Sequence, residues 1–244
     1  MRARPVLAVT GLLAEARVAA GPGIMVVSSG GRADRLEAAL HQAIERDVCA
    51  IISFGIAGAL APGLPPGSAL VARSIITESG DAFESDRAWS QRLSKALGGA
   101  PVVDMAGVDA PVTDPQAKRA LHVSTGAVAV DMESHVAARI AQLHRLPFTA
   151  FRVIADPAER RLPHAAVVGM QPDGKVAIGA LLRSLLREPR QVPLLTRTAL
   201  DAGAAFAALL RGRKMIAGGL GFGDFGELLL DVPREDVVCG SLPV

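Results

Sequence analysis

The sequence contains few of the residues that characterise several common classes of protein. Only two of its 244 residues are cysteine, Cys49 and Cys239, and neither belongs to a pair spaced for metal or redox chemistry. Aromatic residues are also scarce, with seven Phe, one Trp and no Tyr, so stacking platforms for nucleic-acid bases are missing. The formal net charge is +2, and the Lys and Arg residues do not gather into a basic stripe. We therefore expect a reducing, cytoplasmic environment and no nucleic-acid partner.

Apolar segments long enough to span a membrane are missing as well. Gly11, Glu15 and Arg17 interrupt the first apolar run before it reaches the length of a signal peptide's hydrophobic region. The most apolar window, residues 50–64, contains three Gly and one Pro and is too short to cross a bilayer. The five histidines show no pairing with nearby acids that would be typical of a metal site. The sequence thus predicts no transmembrane segment, no metal and no cofactor.

Half of the residues are hydrophobic, which is typical of a chain that folds around a sizeable core. Continuous apolar runs alternate with segments of helical periodicity, the pattern of strands buried on both faces and joined by helices. The predicted strands are 5–10, 24–28, 48–53, 68–76, 101–105, 126–130 and 147–154, and the predicted helices are 32–46, 86–97, 114–122, 132–145, 174–187 and 194–211. This order predicts an α/β fold, a three-layer α/β/α sandwich with a mixed, mainly parallel central sheet. One domain is expected over residues 1–215, followed by a glycine-rich tail over 216–244 to which the sequence assigns no structure.

Two glycine-containing stretches follow predicted strands. In "SSGGRADR", Gly30, Gly31 and Arg32 lie between a strand and a helix, where backbone N–H groups and a guanidinium could bind phosphate. The alternative is a tight turn without a ligand, in which the same glycines only relieve backbone strain. In "SFGIAGAL", Ala57 and Gly58 would let a substrate approach the backbone closely, although close helix packing has the same composition.

Two acidic stretches also follow predicted strands. Asp131 and Glu133 in "AVDMES" fall at the carboxyl edge of the sheet, where open α/β sheets bind ligands, and at the start of a helix. We interpret Asp131 as a helix cap and Glu133 as a ligand-facing acceptor that the helix start keeps ionised. In "FRVIADPA", Asp156 ends a buried strand, where burial would raise its pKa and suit it to donate a proton. Arg152 in that strand needs a carboxylate or a bound anion as its partner.

The four stretches "SSGGRADR", "SFGIAGAL", "AVDME" and "FRVIADPA", in this order, resemble the nucleoside phosphorylase and nucleosidase superfamily. The resemblance covers about residues 5–155 and implies a single α/β domain that cleaves an N-glycosidic bond and releases a nucleobase. By resemblance, Glu133 matches the carboxylate that binds the ribose hydroxyls, and Asp156 matches the acid that protonates the departing purine. Met132 matches the apolar residue beneath the sugar. Phe151 and residues 108–112, which include Val112, fall where relatives build the base pocket, and Pro111 replaces the aromatic residue often found there.

The nucleophile is predicted from residues 11–19. Hydrolytic members resemble the chain there but carry a run of glutamates, the last of which activates water. Aligned directly, Ala16 occupies that position, whereas a shift by one residue places Glu15 there. Phosphate is already an anion and needs no such base, which favours a phosphorylase with phosphate as co-substrate and ribose 1-phosphate as product. A nucleoside hydrolase and a non-catalytic nucleoside-binding protein are the alternatives.

Residues 155–175 and 181–197 resemble one branch of the superfamily, the hopanoid-associated phosphorylases, which implies adenosylhopane as substrate. The predicted helix 194–211 places Leu195, Ala199, Ala202, Phe206 and Leu209 on one face near arginines. That face could contact a lipid tail or the inner face of a membrane, or it could pack on the protein's own core. The resemblance further implies a homo-oligomer.

Overall fold

Strands and helices alternate along the part of the chain that the structure describes, which in this computed structural model is residues 4–29, 33–163, 192–216 and 218–223. The strands are β1 (Val6–Thr10), β2 (Ile24–Ser28), β3 (Ala50–Ala59), β4 (Ala69–Thr77), β5 (Ala82–Glu84), β6 (Val102–Gly107), β7 (Ala129–Asp131) and β8 (Phe148–Asp156). The helices are α1 (Leu13–Ala19), α2 (Ala33–Ile44), α3 (Arg87–Ala96), α4 (Pro115–Thr125), α5 (Ser134–Leu143) and α6 (Val192–Met215), followed by a short 3-10 turn, Gly218–Gly221.

One mixed sheet connects all eight strands. β1 lies between β2 and β3, parallel to both, and β3 is also parallel to β8. β4 is parallel to β6 and antiparallel to β5 and β8, while β7 is parallel to β6 and antiparallel to β3. Most of these pairings are parallel, which confirms the predicted mixed, mainly parallel sheet. The pairings β3–β8–β4–β6–β7–β3 also close on themselves, so part of the sheet forms a ring that the sequence did not predict.

Helices cover both sides of the sheet. On one side, α2 and α5 contribute Leu36, Leu40, Val136 and Ile140 to a core with the apolar side chains of β1 and β3. On the other side, α1, α3 and α6 contribute residues such as Ala19, Trp89 and Leu209. The predicted α/β/α sandwich is therefore confirmed.

The predicted elements differ from the observed ones mainly in length and at their ends. The strand predicted to end at residue 53 continues to Ala59, because its small residues still pair with neighbouring strands. The sequence pattern predicted neither α1 nor β5. The prediction of a helix over 174–187 lies outside the described residues. Asp114 caps α4, and Asp86 caps α3 by accepting a hydrogen bond from the Trp89 N–H; a helix cap was expected one residue earlier, at Ser85.

Candidate active site

The two acids predicted to flank a nucleoside lie at the ends of the strands that border β3: Asp156 is the last residue of β8, and Glu133 follows β7 by two residues. Gly58 of β3 pairs with Val130 of β7 on one side and with Asp156 of β8 on the other. Two inter-strand spacings therefore separate the backbones of Val130 and Asp156, which is about 10 Å. The register between β3 and β8 shifts by one residue just before this point, an irregularity of the kind that redirects a side chain at a strand end.

A fully buried arginine organises the polar group next to β7. The guanidinium Nη2 of Arg152 lies 3.1 Å from Asp131 Oδ1 and 3.3 Å from Glu133 Oε2. It also donates to Ser53 Oγ and Ser134 Oγ, while Nη1 donates to the Ile56 carbonyl. Arg152 thus has the carboxylate partners that its buried charge required.

Asp131 both caps α5 and pairs with this arginine. Its Oδ1 accepts hydrogen bonds from the backbone N–H groups of Glu133 and Ser134, and its Oδ2 accepts one from the Ser134 hydroxyl. The cap leaves the Glu133 side chain directed into the cluster, where Ser29 donates to its Oε1 at 3.2 Å. Asp131 thus satisfies N–H groups at the start of α5, although Glu133 occupies the N-cap position, and the ribose-binding role of Glu133 stays a prediction.

Glu15 is a third carboxylate of the same group. Its side chain is buried, and its Oε2 accepts hydrogen bonds from the N–H groups of Gly11 and Leu12, both at 2.8 Å. Its Oε1 accepts the Ile56 N–H at 2.8 Å, next to Arg152. α1 begins at Leu13 and turns Glu15, rather than Ala16, toward the sheet, which favours the alignment shifted by one residue.

Two glycines leave the space that these side chains occupy. A Cβ atom at Gly11 would lie 2.7 Å from Glu133 Oε1. A Cβ atom at Gly55 would lie 2.4 Å from Glu15 Oε1 and 2.8 Å from Arg152 Nη1. Real Cβ atoms do not approach other atoms so closely, so the cluster depends on both positions lacking a side chain.

Burial controls the protonation of the cluster. Burial raises the pKa of Glu133 to about 7, partly opposed by Arg152 and reinforced by the charges of Asp131 and Glu15. Burial also raises the pKa of Glu15, although Arg152 and the backbone N–H groups act in the opposite direction. The start of α5 was expected to keep Glu133 ionised, but loss of hydration at this buried position acts against the helix end and raises the pKa instead.

Asp156 lies in a separate environment at the end of β8. Its side chain is 16% exposed, and its Oδ2 accepts a hydrogen bond from the buried ammonium of Lys118 at 2.5 Å. Burial raises the pKa of Asp156, while Lys118 and Arg160 oppose the change and Asp201 adds to it. The predicted direction for this carboxyl is therefore confirmed.

The structure brings some of the predicted binding residues together and separates others. Met132 and Val112 pack against one small apolar cluster that also contains Val108 and Val130. Gly58 lies beside it on β3, where it pairs with Val130, whereas Ala57 packs in the core beneath α2 and α5. Phe151 does not join them: it is fully buried on the other side of the sheet, against Phe54 and the backbone of α6 at Gly212. Its alternation along β8 turns it toward the α6 layer.

The predicted phosphate-binding residues Gly30, Gly31 and Arg32 lie outside the described residues. Within the described ranges, no group of three or more His, Cys, Asp or Glu side chains is arranged to hold a metal ion. A search of the described helices found none that is long and apolar enough to cross a membrane.

The helix face proposed for lipid contact packs on the protein near its C-terminal end, whereas Ala199 on the same face is exposed. Leu209 is completely buried, and Phe206 packs partly against the same core as Trp89 and Phe54. This observation favours the alternative that the apolar face of α6 packs on the protein itself.

Comparison with known proteins identifies the family. The sequence profile of the phosphorylase superfamily matches residues 7–187, about three quarters of the chain. The chain belongs to the phosphorylase superfamily. No curated protein sequence matches it significantly.

Solved structures with the same fold have low sequence identity to this member of the superfamily. Futalosine hydrolase of Helicobacter pylori strain 26695 is 17% identical, with a TM-score of 0.60, and the match covers 76% of this chain and 98% of that one. Helicobacter pylori 5′-methylthioadenosine/S-adenosylhomocysteine nucleosidase is 18% identical, with a TM-score of 0.59 and coverage of 77% and 100%. S-adenosylhomocysteine nucleosidase from Streptococcus pyogenes is 16% identical, with a TM-score of 0.59 and coverage of 82% and 98%.

These comparisons correct the predicted enzyme class. The sequence analysis favoured a phosphorylase over a hydrolase, but the similar structures are nucleosidases and a hydrolase. The argument against hydrolysis was the absence of a glutamate at the position of Ala16. Glu15 removes that argument, since its carboxylate reaches the buried cluster.

Sequence reasoning missed two charged residues of the site. Glu15 entered it only as a one-residue shift in alignment, and the missing signal was the start of α1. Lys118 was not singled out at all, because a lysine in an amphipathic helix normally faces solvent. Its single usable signal was its position one turn after the Asp114 cap, on the same side of α4 as Leu121.

Proposed function

We propose that the protein is a nucleosidase that hydrolyses the N-glycosidic bond of a purine nucleoside. The observation that carries this proposal is the buried carboxylate of Glu15, fixed by three backbone N–H groups beside Arg152 and Glu133. Hydrolysis requires a base that accepts a proton from water, and a positioned carboxylate with a raised pKa suits that role. The fold shared with nucleosidases of other organisms supports the same activity.

Each acid then has a distinct part in the reaction. Glu133 binds the ribose hydroxyls, with Met132 beneath the sugar. Glu15 accepts a proton from water as the water oxygen forms a bond to the anomeric carbon. The bond from that carbon to the purine nitrogen breaks, its electron pair passes to the base, and Asp156 supplies the proton that neutralises the leaving group. Arg152 holds Glu133 in place and compensates the clustered negative charge.

The acids adjoin different positions along β3, and the distance between these positions supports their separate roles. The cluster of Glu15 and Arg152 adjoins Gly55, whereas Asp156 adjoins Gly58. Three strand residues span about 10 Å, so the cluster of Glu15 and Arg152, which also holds the sugar-binding Glu133, and the base-facing Asp156 act on opposite ends of one small molecule.

Product analysis tests the proposal directly. The full chain is incubated with adenosine, 5′-methylthioadenosine and S-adenosylhomocysteine, with and without phosphate. We expect adenine and a free sugar at the same rate in both conditions. Release that stops without phosphate would overturn hydrolysis, and binding without any adenine release would favour a non-catalytic nucleoside-binding protein.

A pair of variants tests the role of Glu15. Glu15→Gln removes the proposed base and is expected to lower kcat by roughly 10²–10⁴-fold, the usual effect of losing a positioned base. Glu45→Gln, at an exposed glutamate beyond α2, is the matched control and should keep the wild-type rate. Equal activity of the two variants would remove Glu15 from the mechanism.

The hopanoid resemblance defines one further substrate to test. Residues 155–175 and 181–197 carry it, and only residues 155–163 and 192–197 of these are described. Adenosylhopane belongs in the same assay as adenosine, and a kcat/KM value higher for the lipid-linked nucleoside would support this substrate. Gel filtration with light scattering tests the homo-oligomer that the resemblance implies.

A further inference from the structure

Lys118 is a buried cation that the proposed reaction does not yet use. Its side chain is 0% exposed on α4, although a lysine is almost never buried completely without partners. An ammonium removed from water is costly unless acceptors surround it. The acceptors that surround Lys118 therefore indicate the role of its buried ammonium.

All three N–H donors of this ammonium have acceptors. Nζ donates to Asp156 Oδ2 at 2.5 Å, to the Pro157 carbonyl at 2.8 Å and to the Arg160 carbonyl at 3.0 Å. No hydrogen bond from a described residue reaches the other carboxyl oxygen, Asp156 Oδ1. One oxygen of the proposed acid is thus held by a charge, and the other remains for a ligand.

The loop after Asp156 has further attachments that do not involve Lys118. The Leu162 N–H donates to the Thr113 carbonyl at 2.9 Å, just before α4. Two ion pairs tie the same loop down, Arg161 to Asp114 and Arg160 to Asp201 of α6. Loss of the ammonium should therefore leave the path of the loop in place, so its effect on Asp156 can be measured separately.

We propose that Lys118 is a positioning residue: it holds Oδ2 of Asp156 so that Oδ1 carries the proton that is delivered to the purine. This inference rests on the proposed nucleosidase activity and assigns to it a residue that does not touch the substrate. A carboxyl that binds an ammonium through one oxygen keeps its proton on the other oxygen, because the ammonium has only donors to offer.

Among the residues that the structure describes, three charged groups face the Asp156 carboxyl, each from a different element. These are Lys118 of α4, Arg160 of the following loop and Asp201 of α6. Arg160 and Asp201 pair with each other. Removal of the Lys118 charge should therefore raise the pKa of Asp156, since an adjacent cation favours the ionised carboxylate.

The first test compares Lys118→Met with Lys95→Met, a control at an exposed lysine of α3. For Lys118→Met we expect kcat to fall about tenfold or more, because a misdirected acid loses its alignment with the base. KM should change much less. The alkaline limb of the kcat/KM profile should move up by about one pH unit, within the usual effect of a neighbouring charge. Lys95→Met should match the wild type in all three quantities.

A double-mutant cycle separates this role from a loss of folding. If Lys118 acts through Asp156, adding Lys118→Met to Asp156→Asn should change kcat less than about twofold, because the affected group is already gone. An equal loss in both backgrounds would overturn the proposal. Lys118→Gln, which can still donate to the loop carbonyls, serves if the methionine variant has a low melting temperature.

A measurement without turnover tests the pair independently of the proposed function. The ¹³C resonance of the Asp156 carboxyl, assigned by its absence in Asp156→Asn, reports the pKa of that group in the wild type and in Lys118→Met. An upward shift in the variant supports the coupling even if no nucleoside is hydrolysed. An unchanged titration overturns the role of Lys118, whatever the assays show about the reaction.

Discussion

At the scale of single residues, Asp156 and Glu133 have different surroundings although both are acids near β3. Asp156 keeps a partly exposed side chain beside Lys118, whereas Glu133 lies inside a cluster with Arg152 and Glu15. Different environments allow two carboxyls to act as a proton donor and as a binding group in one site.

Asp156→Asn should reduce turnover far more than substrate binding. The amide keeps the shape and one acceptor oxygen of the side chain but cannot deliver a proton, so kcat should fall by roughly 10²–10⁴-fold. KM should stay within a few fold of the wild type. Steady-state adenine release over a range of nucleoside concentrations provides both constants, and an unchanged kcat would exclude Asp156 as the acid.

At the scale of secondary-structure elements, helix starts and close backbone approaches decide which side chains reach the site. α1 directs Glu15 inward, α4 carries Lys118, and the turn before α5 directs Glu133. Each of these placements depends on a cap or a glycine as well as on the functional residue.

The cap of α3 provides a test with a built-in control. Asp86→Ala removes the acceptor of the Trp89 N–H and should lower the free energy of unfolding by about 1 kcal/mol. Ser85→Ala, at the neighbouring position, should cost much less, because the Ser85 hydroxyl has no hydrogen-bond partner among the described residues. Urea unfolding of both variants measures the difference, and a larger cost for Ser85→Ala would contradict the assigned cap.

Gly55 provides a second test at this scale. Gly55→Ala would place a Cβ atom 2.4 Å from Glu15 Oε1, so the cluster must shift and activity should fall at least tenfold, as misplacement of catalytic groups commonly causes. Gly203→Ala in α6 meets no atom within 4 Å and should stabilise the helix by up to about 1 kcal/mol. Assays and urea unfolding of the two variants check this contrast, which would be refuted by full activity of Gly55→Ala.

At the scale of the whole molecule, the buried cluster links stability to pH. The folded protein retains the proton of Glu133 up to about pH 7, whereas the unfolded chain releases it near its ordinary pKa of 4.5. The folded state therefore binds more protons between these values, and the free energy of unfolding must decrease as pH rises. The raised pKa values of Glu15 and Asp156 act in the same direction.

Urea unfolding at several pH values tests this linkage, with the emission of Trp89 as the signal because the sequence contains one tryptophan. From about pH 4.5 to 7, Glu133 alone should reduce the free energy of unfolding by on the order of 3 kcal/mol at most. Glu133→Gln should show a smaller decrease. Glu45→Gln, at an exposed glutamate beyond α2, should retain the wild-type decrease. A wild type that becomes more stable over this interval would contradict the buried, protonated Glu133.

The sequence predicted the three layers and the succession of strands and helices along the chain, because both depend on local periodicity. Apolar runs such as residues 48–53 and 147–154 mark strands that are covered on both faces, and α2 and α5 alternate with them in the expected way. The closure of β7 onto β3 was not predictable, since it involves two residue pairs and a three-residue strand. Such a short pairing leaves no periodic signal.

In the candidate site, too, the sequence could identify some residues and not others. Asp131, Glu133 and Asp156 were identifiable because each follows a strand that the sequence marks clearly. Phe151 was expected in the base pocket, but the alternation of β8 places it in the α6 layer. Lys118 had no signal beyond its position in α4, because its partners lie 38 or more residues away along the chain.

The sequence by itself determined the α/β class, the strand edges that carry the acids and the membership of the superfamily, because these depend on neighbours within a few residues or on ordered short motifs. Only the tertiary structure decided that Glu15, not Ala16, joins Arg152 and Glu133, and that Lys118 binds Asp156. The physical reason is that burial sets both the partners and the pKa values of these charges, and burial is a property of the assembled chain.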